Sequence, residues 1–158
     1  MSAPPEFLVS EKAQMEETLR LLEALLSKDT WTRYETIAMG TLLQNVYMGI
    51  ENILRFLLQE KGMAIVKTAS WHKEMLQQGQ RAGLIEEAEW DVFKELLLFR
   101  HLHMHGYGHS LKDSRLRELA LPTPLVCRCF LNRLIPTIFA DFRKTGLLTL
   151  RDDRFLLC

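Results

Sequence analysis

The feature that most constrains this chain is the spacing of its apolar residues. They recur three, four and seven positions apart over nearly the whole length, and no run of strict polar–apolar alternation persists. That period belongs to α-helices with one buried face, and it leaves no segment that reads as a half-buried strand. Glycines and prolines fall mainly between the periodic segments, where helices stop and start. The expected fold is therefore all-α: an antiparallel bundle of about five helices joined by short connections. With 158 residues and a hydrophobic fraction of 47%, one domain spanning 1–158 can bury a sizeable core without disulfides or a structural metal.

The first helix is expected over about 11–28, with Ser10 as its cap and Met15, Leu19, Leu22 and Leu26 on its buried face; residues 1–9 read as an extension. A second, long helix runs from about Thr32 to Lys61 and stops at Gly62. Its stripe is Ile37, Leu42, Val46, Ile50, Ile53, Leu54 and Leu57. Gly40 and Gly49 lie inside it, at a cost of about 1 kcal/mol each relative to alanine, so each marks a place where a neighbouring helix comes close. A short helix spans 71–81, ended by Gly83. A fourth begins near Glu86, where Glu86, Glu87, Glu89 and Asp91 suit the positive end of the helix dipole, and ends near His105–Gly106. A fifth is expected from Thr123–Pro124 to Lys144, kinked at Pro136. Residues 147–158 read as a tail.

Several classes are disfavoured at once. No apolar run reaches the ~18 residues of a membrane span, and the N-terminus lacks the basic and apolar regions of a secretion signal. The three cysteines, Cys127, Cys129 and Cys158, do not make a disulfide framework and suit a reducing, cytoplasmic setting. Net charge is zero, yet residues 1–99 carry 10 basic and 15 acidic side chains, and residues 100–158 carry 10 basic and 5 acidic. A basic C-terminal third can attract phosphate while the molecule as a whole stays neutral. Arg115, Arg117, Arg128 and Arg133 are candidates for following a nucleic-acid backbone, and Trp31, Tyr34 and Tyr47 for stacking on bases. Each also has an ordinary structural reading as a surface charge or a packed ring.

Chemistry concentrates in one place. Four of the five histidines lie within residues 101–109, in Arg100-His101-Leu102-His103-Met104-His105-Gly106-Tyr107-Gly108-His109. Three readings compete. His101 and His105 are four apart on a helix and point within about 40° of each other, a usable metal pair. However, no carboxylate accompanies them, and Cys127 and Cys129 diverge on their own helix. Alternatively, the histidines simply complement the negative end of a helix dipole. The third reading is metal-free cleavage of an RNA phosphodiester. Imidazole titrates near neutrality and can exchange the 2′-hydroxyl and leaving-group protons, while guanidinium matches the charge that builds on the phosphate oxygens. Arg100 and His105 supply both, although at five residues apart they diverge by about 140° on an ideal helix. His72, beside Trp71, reads as a structural histidine more readily than as a site residue.

Arg100-x4-His105-x-Tyr107 resembles the signature of HEPN-domain proteins of the HepT type, the ribonuclease toxins of HepT–MntA toxin–antitoxin pairs. Where that family commonly has asparagine, this chain has His101. The resemblance implies a HEPN-like bundle that forms a homodimer, with two Arg/His sets meeting in a shared cleft. It implies an endoribonuclease that needs no metal or cofactor, acting on RNA, with transfer RNA as one candidate substrate. His105 would be the general acid–base, Arg100 would hold the scissile phosphate, and His101 would assist. It also implies a partner, a minimal nucleotidyltransferase antitoxin of the MntA type, that attaches AMP to Tyr107. A phenol flanked by two glycines is an accessible nucleophile for such a step. The competing reading within the same fold is a non-catalytic helical subunit that binds a nucleotidyltransferase.

Overall fold

Helical periodicity and stop signals translate into six helices in the computed structural model, which describes residues 5–104 and 112–135. They are α1 (Glu6–Leu26), α2 (Arg33–Glu60), α3 (Trp71–Arg81), α4 (Glu87–Met104), α5 (Asp113–Ala120) and α6 (Thr123–Leu134). Among the described residues there is no strand. No described helix is long and apolar enough to cross a membrane.

The glycine stops behave as expected. Gly62 and Gly83 have φ of 72° and 73°. The pair of bonds Met63 N–H to Leu58 O (3.0 Å) and Gly62 N–H to Gln59 O (2.8 Å) closes α2. Leu84 N–H to Gly79 O (2.8 Å) and Gly83 N–H to Gln80 O (3.0 Å) close α3 in the same way. This is the Schellman arrangement, in which glycine takes the left-handed position without a Cβ penalty. At the other end of α2, Thr32 and Glu35 form a reciprocal capping box. The Lys28 ammonium and the Thr32 N–H hold the Glu35 carboxyl down at about 2.

α2 is the spine. It packs against α1, α3, α4 and α5, while α6 closes the far side against α1 and α4. Leu43, Val46, Tyr47, Ile50, Ile53 and Leu54 on α2 are completely buried. Phe93 of α4 and Phe130 of α6 meet edge-on at 5.1 Å between centroids. α1 and α2 form an antiparallel pair: Glu11 lies by Asn52, Met15 by Gly49 and Lys28 by Glu35. The two internal glycines mark the close approaches. A Cβ at Gly49 would lie 2.6 Å from Met15 Cγ, and one at Gly40 would lie 3.3 Å from His103 Cε1.

Four expectations are corrected. α1 begins at Glu6 rather than after Ser10, so residues 6–9 are helix and not extension. Leu8 extends the buried stripe that continues at Met15, and Phe7 stacks on Phe56 at 5.2 Å, which draws the extra turn onto α2. α5 is a helix beyond the five expected; Leu116, Leu119 and Ala120 give it a buried edge too short to show a period. Thr123 opens α6 without capping it. Its hydroxyl is buried and donates to Leu119 O at 2.8 Å. Finally, α6 ends at Leu134, because Ile135 (φ −127°, ψ 77°) leaves the helical region ahead of Pro136, as residues before proline tend to do. The expected continuation to Lys144 and the tail 147–158 lie outside the described residues.

Substituting Gly49 by valine forces a branched side chain into space already filled by buried Met15. We expect a loss of about 1–3 kcal/mol in unfolding free energy, measured by urea denaturation, with part of the loss recovered in a Gly49→Val/Met15→Ala double variant.

Candidate functional site

Helix α4 carries His101 in its last turn and Arg100 just ahead of it, with Phe93, Leu96 and Phe99 buried against the spine. Because Phe99 faces inward, Arg100 swings toward α3 and His101 toward solvent. His101 is exposed. Both line a groove of about 360 Å³ between α3 and α4 whose other polar lining includes His72, Lys73 and Lys94, with Trp90 on its wall. Among the described residues no acidic side chain lines it. A second depression of about 280 Å³, between α4 and α5, is lined by Asp91, Glu95 and Glu118 against a single cation, Arg115. Only the first has the charge to receive a phosphate.

His72 makes polar contacts with two other helices. α3 places it between two helices. Its Nε2 lies 3.3 Å from Arg100 Nη1, and its Nδ1 is hydrogen-bonded to Glu51 Oε1 on α2. Its ring is tilted against Trp71, 3.8 Å between centroids. Glu51 is a buried carboxylate, 7% exposed. The fully buried Tyr47 lies one turn earlier on α2. Burial and the Glu51 carboxylate push its phenol far above the usual range, so it stays protonated. The Tyr47 hydroxyl and Arg100 Nε are buried and have no hydrogen-bond partner among the described residues. No local sequence signal links Glu51, His72 and Arg100, which lie on three helices far apart in the chain.

The other histidine of this turn is separated from the groove. His103 turns toward α2, stacks on Phe99 at 5.5 Å, and meets Gly40. Its Nδ1 is buried without a hydrogen bond among the described residues. His105, Tyr107 and His109 lie outside the described residues. The structure therefore brings Arg100 and His101 to one groove and adds His72, while the rest of the motif has no described position. Among the described residues no group of three or more His, Cys, Asp or Glu side chains is placed to hold a metal ion.

The four arginines considered for nucleic-acid tracking have structural partners. Arg128 pairs with Glu16 at 3.1 Å and Glu23 at 2.6 Å, tying α6 to α1. Arg133 pairs with the buried Glu89 at 2.5 Å and with Glu86 at 3.3 Å. Arg115 bridges Glu95 and Glu118. Arg117 donates to Lys28 O at 2.7 Å and Asp29 O at 3.1 Å, and lies over the Trp31 ring at 4.1 Å. Thus, among the described residues, three of these four arginines pair with glutamates and the fourth with backbone carbonyls. Of the three rings considered for stacking, Tyr47 is buried, Trp31 is half-buried under Arg117, and Tyr34 is exposed. Cys127 is free, and burial pushes its thiol up, away from reactivity.

The model of a family described as HepT-like protein matches residues 38–135, more than half of the chain and all of the helices that build the groove. The chain belongs to the HepT-like family, with the all-helical HEPN-type architecture described above. No curated protein and no solved structure matches it.

His103 tests whether the histidine-rich turn acts as one unit. Since its Nδ1 is buried and unmatched, replacing the ring by an apolar group of similar size should be neutral to slightly stabilising. We expect His103→Leu to keep the wild-type melting temperature or raise it, as read by thermal denaturation.

Proposed function

We propose that this protein is an endoribonuclease toxin of a toxin–antitoxin pair, cleaving RNA without a metal ion. The observation that carries the reading is Arg100 in a groove lined by cations, five residues ahead of His105, in a chain of the HepT-like family. Arg100 holds the scissile phosphate and stabilises the charge that develops on its oxygens. His105 exchanges the protons, and His101, on the rim of the same groove, assists. In the reaction the 2′-oxygen attacks phosphorus as its proton is removed. The P–O5′ bond breaks and the 5′-oxygen receives a proton, leaving a 2′,3′-cyclic phosphate. Atoms and charge balance with no metal and no water.

The reading extends to assembly and control. A homodimer sets two Arg/His pairs in one cleft, which overcomes the angular divergence of Arg100 and His105 on a single helix. Transfer RNA is a candidate substrate, and the cytoplasm is the setting. A minimal nucleotidyltransferase antitoxin of the MntA type silences the toxin by transferring AMP to Tyr107. The phenolic oxygen attacks the α-phosphorus of ATP, pyrophosphate leaves, and the phenolic proton passes to solvent. The added phosphate places negative charge and bulk two residues from His105, where RNA phosphate has to sit.

Purified protein is expected to cut RNA in excess EDTA and to leave cyclic phosphate ends, with Arg100→Ala and His105→Ala each at least about 100-fold slower. Loss of cutting in EDTA would favour a metal site instead. Dimer formation without cutting would favour the non-catalytic binding subunit. Co-expression with a minimal nucleotidyltransferase is expected to raise the intact mass by whole AMP units, mapped to Tyr107 by peptide mass spectrometry and absent in Tyr107→Phe.

A further inference from the structure

We propose that Glu51 and His72 form a positioning relay that sets the guanidinium of Arg100, and that the imidazole of His72 works in one defined tautomer. The proposal rests on the ribonuclease reading for its functional consequence and on geometry for its structural part. Arginine can only donate hydrogen bonds. The 3.3 Å contact between Arg100 Nη1 and His72 Nε2 therefore requires an unprotonated Nε2 that accepts. In a neutral imidazole the proton then sits on Nδ1, and Nδ1 is the nitrogen that faces Glu51 Oε1. The carboxylate fixes the tautomer and the ring orientation, and the ring presents its lone pair to the arginine.

The three groups come from three helices. Glu51 is buried on α2, His72 is the second residue of α3, and Arg100 lies just ahead of the last turn of α4. His72 stands between the carboxylate and the cation. Among the described residues no carboxylate lies within ion-pair distance of Arg100. That separation has a chemical use. A direct Glu–Arg pair would occupy the guanidinium with a carboxylate and weaken its hold on phosphate. An imidazole in between orients one nitrogen and leaves the guanidinium without a carboxylate in contact. The His72 ring is also held by its tilted contact with Trp71.

The test uses the full-length protein and reads both activity and the imidazole itself. His72→Ala is expected to lower kcat for RNA cleavage by about 10- to 100-fold, while affinity for an RNA oligonucleotide changes by less than about twofold. His72→Gln, whose amide can donate to Glu51 and accept from Arg100, is expected to recover part of the rate. Glu51→Gln is expected to lower kcat with His72 in place. Nitrogen-15 spectra of imidazole-labelled protein are expected to show His72 protonated on Nδ1 and not on Nε2. Wild-type kcat in His72→Ala, alongside loss in Arg100→Ala, would overturn the relay while leaving the ribonuclease reading intact. So would a His72 protonated on Nε2, or activity losses that follow melting temperature with no recovery in His72→Gln. A wild-type protein that cuts no RNA would overturn the ribonuclease reading instead, and the His72 spectrum would then decide the relay alone.

Discussion

Everything in this molecule is hung on the burial of α2. A 28-residue helix with neighbours on several sides cannot carry bulky side chains all round. Gly49 lets Met15 of α1 press onto its backbone, and Gly40 does the same for His103 of α4. Helix interiors normally disfavour glycine, so the two sites trade local helix stability for close packing. The burial is also why a carboxylate and a phenol on α2, Glu51 and Tyr47, end up in a low-dielectric setting where each must be matched or kept neutral.

That polar inset organises the candidate site. Glu51 is buried because α2 is buried, and His72 is drawn to it because α3 packs on that part of the spine. Arg100 reaches His72 because the apolar residues of α4, Phe93, Leu96 and Phe99, fix its rotation about its own axis. The groove beside them inherits its charge from side chains that point away from the core: Lys73, Lys94 and His101. The site is thus a consequence of three helix faces meeting, with the guanidinium at their junction.

The basic residues show how far local sequence can mislead. A positive balance after residue 100 suggests a phosphate-binding surface. Yet Arg115, Arg128 and Arg133 pair with glutamates, and Arg117 caps backbone carbonyls beside Trp31. Partially exposed pairs of this kind add little stability singly, although bridges between distant helices help fix their register. Their partners lie up to 112 residues away in the chain. No window-based reading of charge can find the distant ones. Arg100 differs because its contact is an imidazole.

The amino-acid sequence by itself determined the all-helical class, the boundaries of α2 and α3, both glycine stops and the close approaches at Gly40 and Gly49. These depend on residue type and on period, and both are local. It also marked Arg100 and His101, through a motif whose remaining residues, His105 and Tyr107, lie outside the described part of the structure. The extra first turn of α1, the existence of α5 and the end of α6 at Leu134 were decided by contacts and backbone angles that no period reveals. The surroundings of His72 were decided only by tertiary structure. A histidine beside a tryptophan is unremarkable until folding places a buried carboxylate on one ring nitrogen and an arginine on the other, and that coincidence of three helices is not written in any stretch of sequence.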